Sequence, residues 1–359
     1  MFSMKNLMVS TDFHGQGGIA TVVNGYSEDG LLAQIPFITV STHSTENKTK
    51  FSAITLFLQS ILKIIFYGVF YRIGIVHVHM ASRGSYTRKS KIIRLARFFG
   101  AKTIIHLHGG GFKAFYNDEC SVKKQQHIRD TFNMADKVIV LSSQWIAWVD
   151  TIVDDKNKTY VVYNAVPEVK LPTKKKNKPI ILFLGRLGEG KGVGDLINAF
   201  SQISDRFPDC ELHLGGDGDL ATYKDQAENL NLGNKVKLLD WVAGETKNQC
   251  LADATIYCLP SYKEGFPMGI LEAMSAEVAV VATTVGGIPD AITHAEEGLL
   301  FEAGDVNALA QALSEVLTDN DKRIRLTKAA KIKYLKKYTP SVIIPQLKSI
   351  YQELQEANK

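Results

Sequence analysis

No CxxC pair occurs in this chain: Cys120, Cys210, Cys250 and Cys258 stand apart, and Cys210 and Cys258 fall in apolar runs. Such spacing offers neither a zinc framework nor a disulfide ladder, and it reads as the reduced core thiols of a cytosolic protein. No secretory leader is expected either, because the first apolar run gives way at once to the polar turn Thr11-Asp12-Phe13-His14-Gly15. No apolar run of spanning length is free of polar residues; the longest, residues 51–71, carries Gln59, Ser60 and Lys63 near its middle. It is expected to be a buried or half-buried domain helix, with a membrane span or a helix lying on the membrane surface as alternatives. Nucleic-acid motifs are absent, and no nucleic acid partner is expected.

What is present is ordinary in bulk and uneven in placement. The 359 residues suffice for two domains with separate cores, and 45% apolar with 22% charged residues suits a globular chain. Residues 1–171 hold 20 Lys+Arg against 12 Asp+Glu, whereas residues 172–359 hold 22 against 25, so the first half carries all of the net basicity. Within it Arg83, Arg88, Lys89, Lys91, Arg94, Arg97 and Lys102 follow one another with no acid between them, interleaved with apolar residues. This reads as a basic amphipathic helix that could meet anionic lipid or a phosphate-bearing acceptor, or as a plain solvated face.

Strand-like apolar runs at 7–10, 37–40, 75–79, 103–107, 137–141 and 160–163 alternate with helix-period segments. Two prolines around a lysine run at 170–179 then read as an interdomain linker. The alternation restarts at 180–184 and continues through 211–214, 236–239, 255–259, 278–282 and 299–301. The fold class is therefore α/β, with two doubly wound domains at 1–171 and 172–338 and a further helix within 339–359. Ligands of such sheets bind beyond the carboxyl ends of the strands, which makes a central cleft between the domains the expected site.

The richest stretch is Glu264-Gly265-Phe266-Pro267-Met268-Gly269-Ile270-Leu271-Glu272, read as a loop turning into a helix with Pro267 at its first helical position. Its amino end would offer free amides to a phosphate, with one carboxylate before the helix and one inside it to grip vicinal hydroxyls. An ordinary capped helix is the bland alternative. Gly185-Arg186-Leu187-Gly188-Glu189-Gly190-Lys191-Gly192 nearly spells the phosphate loop of nucleotide triphosphatases, but Gly192 stands where that loop has Ser or Thr. Without the hydroxyl it supplies no magnesium ligand, while Arg186 and Lys191 can still present two charges to a diphosphate.

Further glycine-rich turns follow other strands: Gly15-Gln16-Gly17-Gly18, His106-Leu107-His108-Gly109-Gly110-Gly111 and Gly286-Gly287-Ile288-Pro289. His77 and His79 form a second HxH pair, but alternation is expected to send neighbouring pairs to different layers, so no metal site is expected. Asp217-Gly218-Asp219 is a DxD triplet that suits a strand-end loop equally well.

Together, Gly17-Gly18, His108-Gly109, Arg186 with Lys191, Glu264-Gly265-Phe266-Pro267 with Glu272, and Gly286-Gly287-Ile288-Pro289 resemble the retaining glycosyltransferases of family 4, in order along nearly the whole chain. The resemblance implies a GT-B fold of two Rossmann-like domains. It implies that Arg186 and Lys191 bind the donor diphosphate, Glu272 the ribose, and Glu264 with the backbone of Phe266, Pro267 and Met268 the donor sugar. Gly17 and Gly18 would close over the phosphates and His108 would contact the sugar near the reacting carbon. Trp241 and Val242 would hold the base, and a helix at 341–354 would cross back to the first domain.

The expected activity is metal-independent retaining transfer of a hexose, from a UDP-hexose first or GDP-mannose second, with no cofactor. The acceptor is expected to be a lipid-linked glycan in bacterial surface polysaccharide synthesis, at the inner face of the membrane, with Asp12, His14 and Arg83 as contacts. A nucleotide-sugar epimerase of the same fold, a magnesium-dependent nucleotide hydrolase and a non-catalytic sensor are the competing readings.

Overall fold

The computed structural model describes residues 4–12, 15, 17–44, 49–175 and 178–356, and divides the chain into two compact units. The first comprises Met1–Ala165 with Pro340–Lys359, the second Val166–Thr339.

In the first unit six parallel strands, β1 (Met4–Ser10), β2 (Phe37–Ser41), β3 (Arg72–Met80), β4 (Lys102–Leu107), β5 (Lys137–Val140) and β6 (Thr159–Val161), are ordered β2-β1-β3-β4-β5-β6. Runs such as Leu7-Met8-Val9 and Ile104-Ile105 are fully buried because helices cover the sheet on both faces, so the strands read as continuous rather than alternating apolar runs. The strand order reverses between β1 and β3. The helix Pro340–Glu356 belongs to this unit; its Tyr351 hydroxyl hydrogen-bonds His77 Nδ1 at 2.7 Å and its ring meets Phe37.

The helix Lys50–Phe70 opens with Thr49 Oγ1 accepting from the Ser52 amide at 3.2 Å. Most of it is exposed, less covered than the buried or half-buried helix expected: Ile64 lies in the core with Phe57, Ile61 and Tyr67 against it, while the opposite side faces outward. The helix Gly84–Phe98 is not the single basic face the sequence suggested. Lys89 is fully buried, Arg83 pairs with Glu119, and Arg97 and Lys102 both pair with Asp136.

The second unit carries β7 (Ile180–Leu184), β8 (Glu211–Gly215), β9 (Val236–Leu239), β10 (Ile256–Leu259), β11 (Ala279–Thr283) and β12 (Gly298–Phe301), all parallel, in the order β12-β11-β10-β7-β8-β9. Counted from β9 this is 3-2-1-4-5-6, the order of dinucleotide-binding sheets, and it places the reversal between β7 and β10. The segment at 170–179, read from sequence as a linker, is in its described part fastened to this unit. The Lys175 amide donates to Asp253 Oδ1 at 2.6 Å and Gln249 Nε2 to the Thr173 carbonyl at 3.3 Å. The division between units falls earlier than residue 171, since the Val166 amide donates to the Tyr338 carbonyl and Glu168 pairs with Lys331. Lysines and prolines do not prevent docking when backbone and ammonium groups find fixed acceptors.

Candidate active site

The loops after β7 and β10 flank the reversal point of the second sheet, where the ends of a doubly wound sheet open a crevice. They interlock through backbone. Gly192 is left-handed at φ 66°, and a Cβ there would stand 2.1 Å from the Pro260 carbonyl oxygen. The Tyr262 amide donates to the Gly190 carbonyl at 3.1 Å. The loop after β11 joins them: a Cβ on Gly286 would meet the Glu264 oxygen at 2.0 Å, and the Gly287 amide donates to Gly265 at 2.8 Å.

Into this frame project the charged groups singled out from sequence. Lys191, in the short helical turn Glu189–Lys191, places its Nζ 2.6 Å from Glu264 Oε1, with the carboxylate side chain only 9% exposed and the lysine 34%. Arg186, on the same loop, is exposed and makes no hydrogen bond or ion pair among the described residues. The site therefore holds one cation already matched by an acid and one left for a ligand.

The helix Met268–Ser275 follows, one residue later than expected. Pro267 is its cap with φ −76° and ψ 118°, not its first helical residue, and its carbonyl accepts from the Ile270 amide at 3.2 Å. Proline's fixed φ suits either position, so only ψ distinguishes them. Glu272 lies one turn in, paired with Lys247 at 2.6 Å. Phe266 is buried against Tyr338 with ring centroids 5.4 Å apart, leaving its backbone as the part available to a ligand. Beneath the helix start lies Tyr257, whose fully buried hydroxyl would be 2.0 Å from a Cβ on Gly269. Burial first, then the charges of Glu272 and Glu264, hold this phenol well above its ordinary pKa, so it stays neutral. Lys247 and Tyr257 were not singled out from sequence.

Trp241 and Val242 follow β9 at the other edge of the sheet, Trp241 exposed and Val242 packed over Gly215. Asp219 of the DxD triplet caps the helix Leu220–Asn229, accepting from the Thr222 amide at 3.2 Å and hydroxyl at 2.7 Å, which lowers its pKa. It is engaged as a cap, while the Asp217 backbone carbonyl accepts from Leu187.

In the first unit Gly17, at φ 134°, precedes the helix that starts at Gly18. The Asp12 amide donates to the His43 carbonyl at 2.8 Å. His14 lies outside the described residues. Arg83 is held by Glu119, with Nε 2.8 Å from Oε2, in a positive-φ conformation at 54°.

The histidines overturn the expectation that the two pairs separate. Residues i and i+2 of one strand share a face, and β3 and β4 pair with His79 opposite His106, so all four rings meet on one side of the sheet. His77 Nε2 hydrogen-bonds His106 Nδ1 at 3.1 Å, and His79 Nδ1 bonds His108 Nε2 at 2.8 Å. His77, His79 and His106 offer nitrogens within 4.8 Å of one another, a spacing that a metal-ligand set shares. Burial holds the rings neutral, with His77 and His108 pulled down to about 3, and His79 and His106 also well below the usual imidazole value. Lys89 adjoins them, its ammonium lowered to about 7 by burial.

Two parallel doubly wound sheets, one with paired charges at its reversal point, define the fold class of the GT-B glycosyltransferases. Residues 168–333 match the family model described as glycosyl transferases group 1. The chain is 22% identical over 348 residues to 2-deoxystreptamine N-acetyl-D-glucosaminyltransferase of Niallia circulans, covering 90% of this chain and 87% of that protein. It is 32% identical over 181 residues to a D-inositol 3-phosphate glycosyltransferase of Corynebacterium glutamicum, covering 48% of this chain and less than half, 43%, of that one. In fold it resembles sucrose-phosphate synthase from Thermosynechococcus elongatus, with TM-score 0.84 at 20% identity over 99% of this chain and 100% of that one. Anabaena HepE in complex with UDP and glucose gives 0.76 at 19% identity over 98% and 100%.

Proposed function

We propose that the chain is a retaining, metal-independent glycosyltransferase that moves a hexose from a nucleoside diphosphate sugar to a glycan acceptor. The observation that carries this is the Lys191–Glu264 pair across the reversal point of the second sheet, on the same loop as an Arg186 unpaired among the described residues. Breaking the anomeric bond sends negative charge to the departing diphosphate. Arg186, Lys191 and the free amides at the start of the Met268–Ser275 helix are the groups that would receive it. As the diphosphate takes up Lys191, Glu264 is released to accept hydrogen bonds from sugar hydroxyls, and Glu272 serves the ribose. Trp241 and Val242 would flank the base, Gly17 and Gly18 the phosphates, and His108 the donor sugar.

The near phosphate loop supports no magnesium-dependent hydrolysis. A Ser or Thr in place of Gly192 would carry its Cβ into the Pro260 carbonyl, so the backbone leaves no room for the hydroxyl that holds the ion in such loops. A uridine donor is favoured over a guanosine one because a solved protein of the same fold carries UDP and glucose. The acceptor reading, a lipid-linked glycan of a surface polysaccharide reached from the inner face of the membrane, is supported by the basic first half. Asp12, His14 and Arg83 are its proposed contacts, Arg83 only after leaving Glu119.

Calorimetry with UDP, GDP and ADP tests the donor class: micromolar binding of one nucleotide in EDTA, largely retained in Arg186→Gln, is expected. Nucleotide binding that requires magnesium would overturn the reading.

A further inference from the structure

One face of the helix Lys50–Phe70 is an exposed apolar surface. Phe51 (79% exposed), Ile54, Leu58, Leu62 (65%), Phe66 and Val69 recur at helical spacing along it. Its residues 51–70 are long and apolar enough to cross a membrane by length and composition, at about 30 Å for twenty residues. Yet the other face is committed to its domain: Ile64 sits in the core, and Lys63, halfway along, donates from Nζ to the Thr39 carbonyl of β2 at 2.8 Å. The helix therefore lies along the domain with one apolar side outward. Phe98, 82% exposed, adjoins this surface, since its neighbour Phe99 packs on Gly68.

Charge says what covers it. From residue 47 to residue 117 the chain contains no aspartate or glutamate and twelve lysines and arginines. This stretch supplies both the exposed helix and the Gly84–Phe98 helix packed beside it, whose exposed Lys91 extends over the Phe57 ring with its Nζ 5.9 Å from the centroid. Lys5 stands 5.7 Å from the Tyr71 ring at the far end. Arg83, Arg97 and Lys102 are matched by Glu119 and Asp136, and Lys89 is buried, but Lys91 and Lys5 border the apolar strip as cations, which matches a bilayer interface with anionic headgroups. A second copy fits poorly, because a symmetric pair would press two equally basic rims together.

We infer that the outward face of the Lys50–Phe70 helix is a bilayer-docking surface, seated in the interfacial layer of an anionic membrane. This deepens the membrane part of the reading above but needs no donor or transfer. Vesicle binding in an inactive preparation, or activity without vesicle binding, tells the two apart.

The test is cosedimentation of the full chain with vesicles of phosphatidylcholine alone or mixed with phosphatidylglycerol. Binding to the mixed vesicles, weakened by salt, is expected, with a loss of about ten-fold or more in Leu58→Asp/Leu62→Asp. Phe98→Ser, on a separate helix, should lose less. Should the double variant not fold, Leu62→Trp decides: its fluorescence is expected to be quenched by brominated acyl chains. Three results would overturn the inference: no binding of the wild type to mixed vesicles, undiminished binding by a folded double variant, or no quenching. A dimer in sedimentation velocity that the same substitutions dissociate would instead give the face to a second copy.

Discussion

Lys191 Nζ stands 2.6 Å from Glu264 Oε1, tying the loop after β7 to the loop after β10 where the second sheet reverses its order. The pair fixes a cation at the mouth of the crevice before any ligand arrives. Arg186, unpaired among the described residues, is its complement.

Charge stabilisation during bond cleavage predicts a particular kinetic pattern. Arg186→Gln should lower kcat by about 100- to 1,000-fold while changing donor KM much less. Lys191→Met should do the same and also lower stability, because it strands a buried carboxylate. Steady-state kinetics with thermal melts decide it; a rise in KM at unchanged kcat would mean the cations serve ground-state binding alone.

The contact between Gly269 and Tyr257 predicts a coupled pair. Gly269→Ala drives a methyl into the buried Tyr257 hydroxyl and should cost about 1 to 3 kcal/mol. Tyr257→Phe in the same chain removes the obstructing oxygen and should restore about 0.5 kcal/mol or more. Urea unfolding of the four proteins of the cycle measures this, and strict additivity would contradict the contact.

The histidine ladder predicts acid sensitivity. His77 and His108 have folded pKa values near 3, below the unfolded value of about 6.5, so between those limits the unfolded chain binds more protons. Their contribution is complete above pH 6.5 and is lost as pH falls toward 3. The slope approaches about 1.4 kcal/mol per pH unit for each ring fully engaged. Lys89, charged below about 7 and facing His79 and His108, adds to the penalty, and Tyr351 bonds His77 in the neutral state. Urea midpoints should fall from pH 7 to pH 5; a flat profile would show the rings already hydrated.

Asp219 predicts a purely conformational effect. Asp219→Ala should cost about 0.5 to 2 kcal/mol as a lost helix cap while leaving turnover, with or without EDTA, as it was. Loss of activity at unchanged melting temperature would reinstate the triplet as a metal holder.

Much of this architecture could be read before any coordinates. Buried strands of parallel sheets are unbroken apolar runs, so 180–184 and 255–259 announced themselves. Glycines required by close backbone approach, Gly192 and Gly286, marked the loops. Other features depend on distances that sequence does not carry. Lys247 is 25 positions from Glu272, and nothing in its helix announces the pairing. Arg83 looked free because Glu119 lies 36 positions away. The two histidine pairs meet because residues two apart share a strand face and the β3–β4 register, unreadable locally, sets His79 opposite His106. Basic residues drew notice to 83–102, whereas the exposed apolar side belongs to the preceding helix, whose two faces are both apolar and differ only in what packs on them.

The first unit is discontinuous in sequence, closed by the helix Pro340–Glu356, whereas the second is one uninterrupted stretch. On a ribosome the later-made unit can therefore reach its native state while the earlier-made one still waits for its last helix, with His77 lacking Tyr351. A chain cut after Thr339 would carry one complete half and one still missing its closing helix. A disturbance of the Pro340–Glu356 helix bears on the maturation of the N-terminal sheet, not of the unit that precedes that helix in the chain.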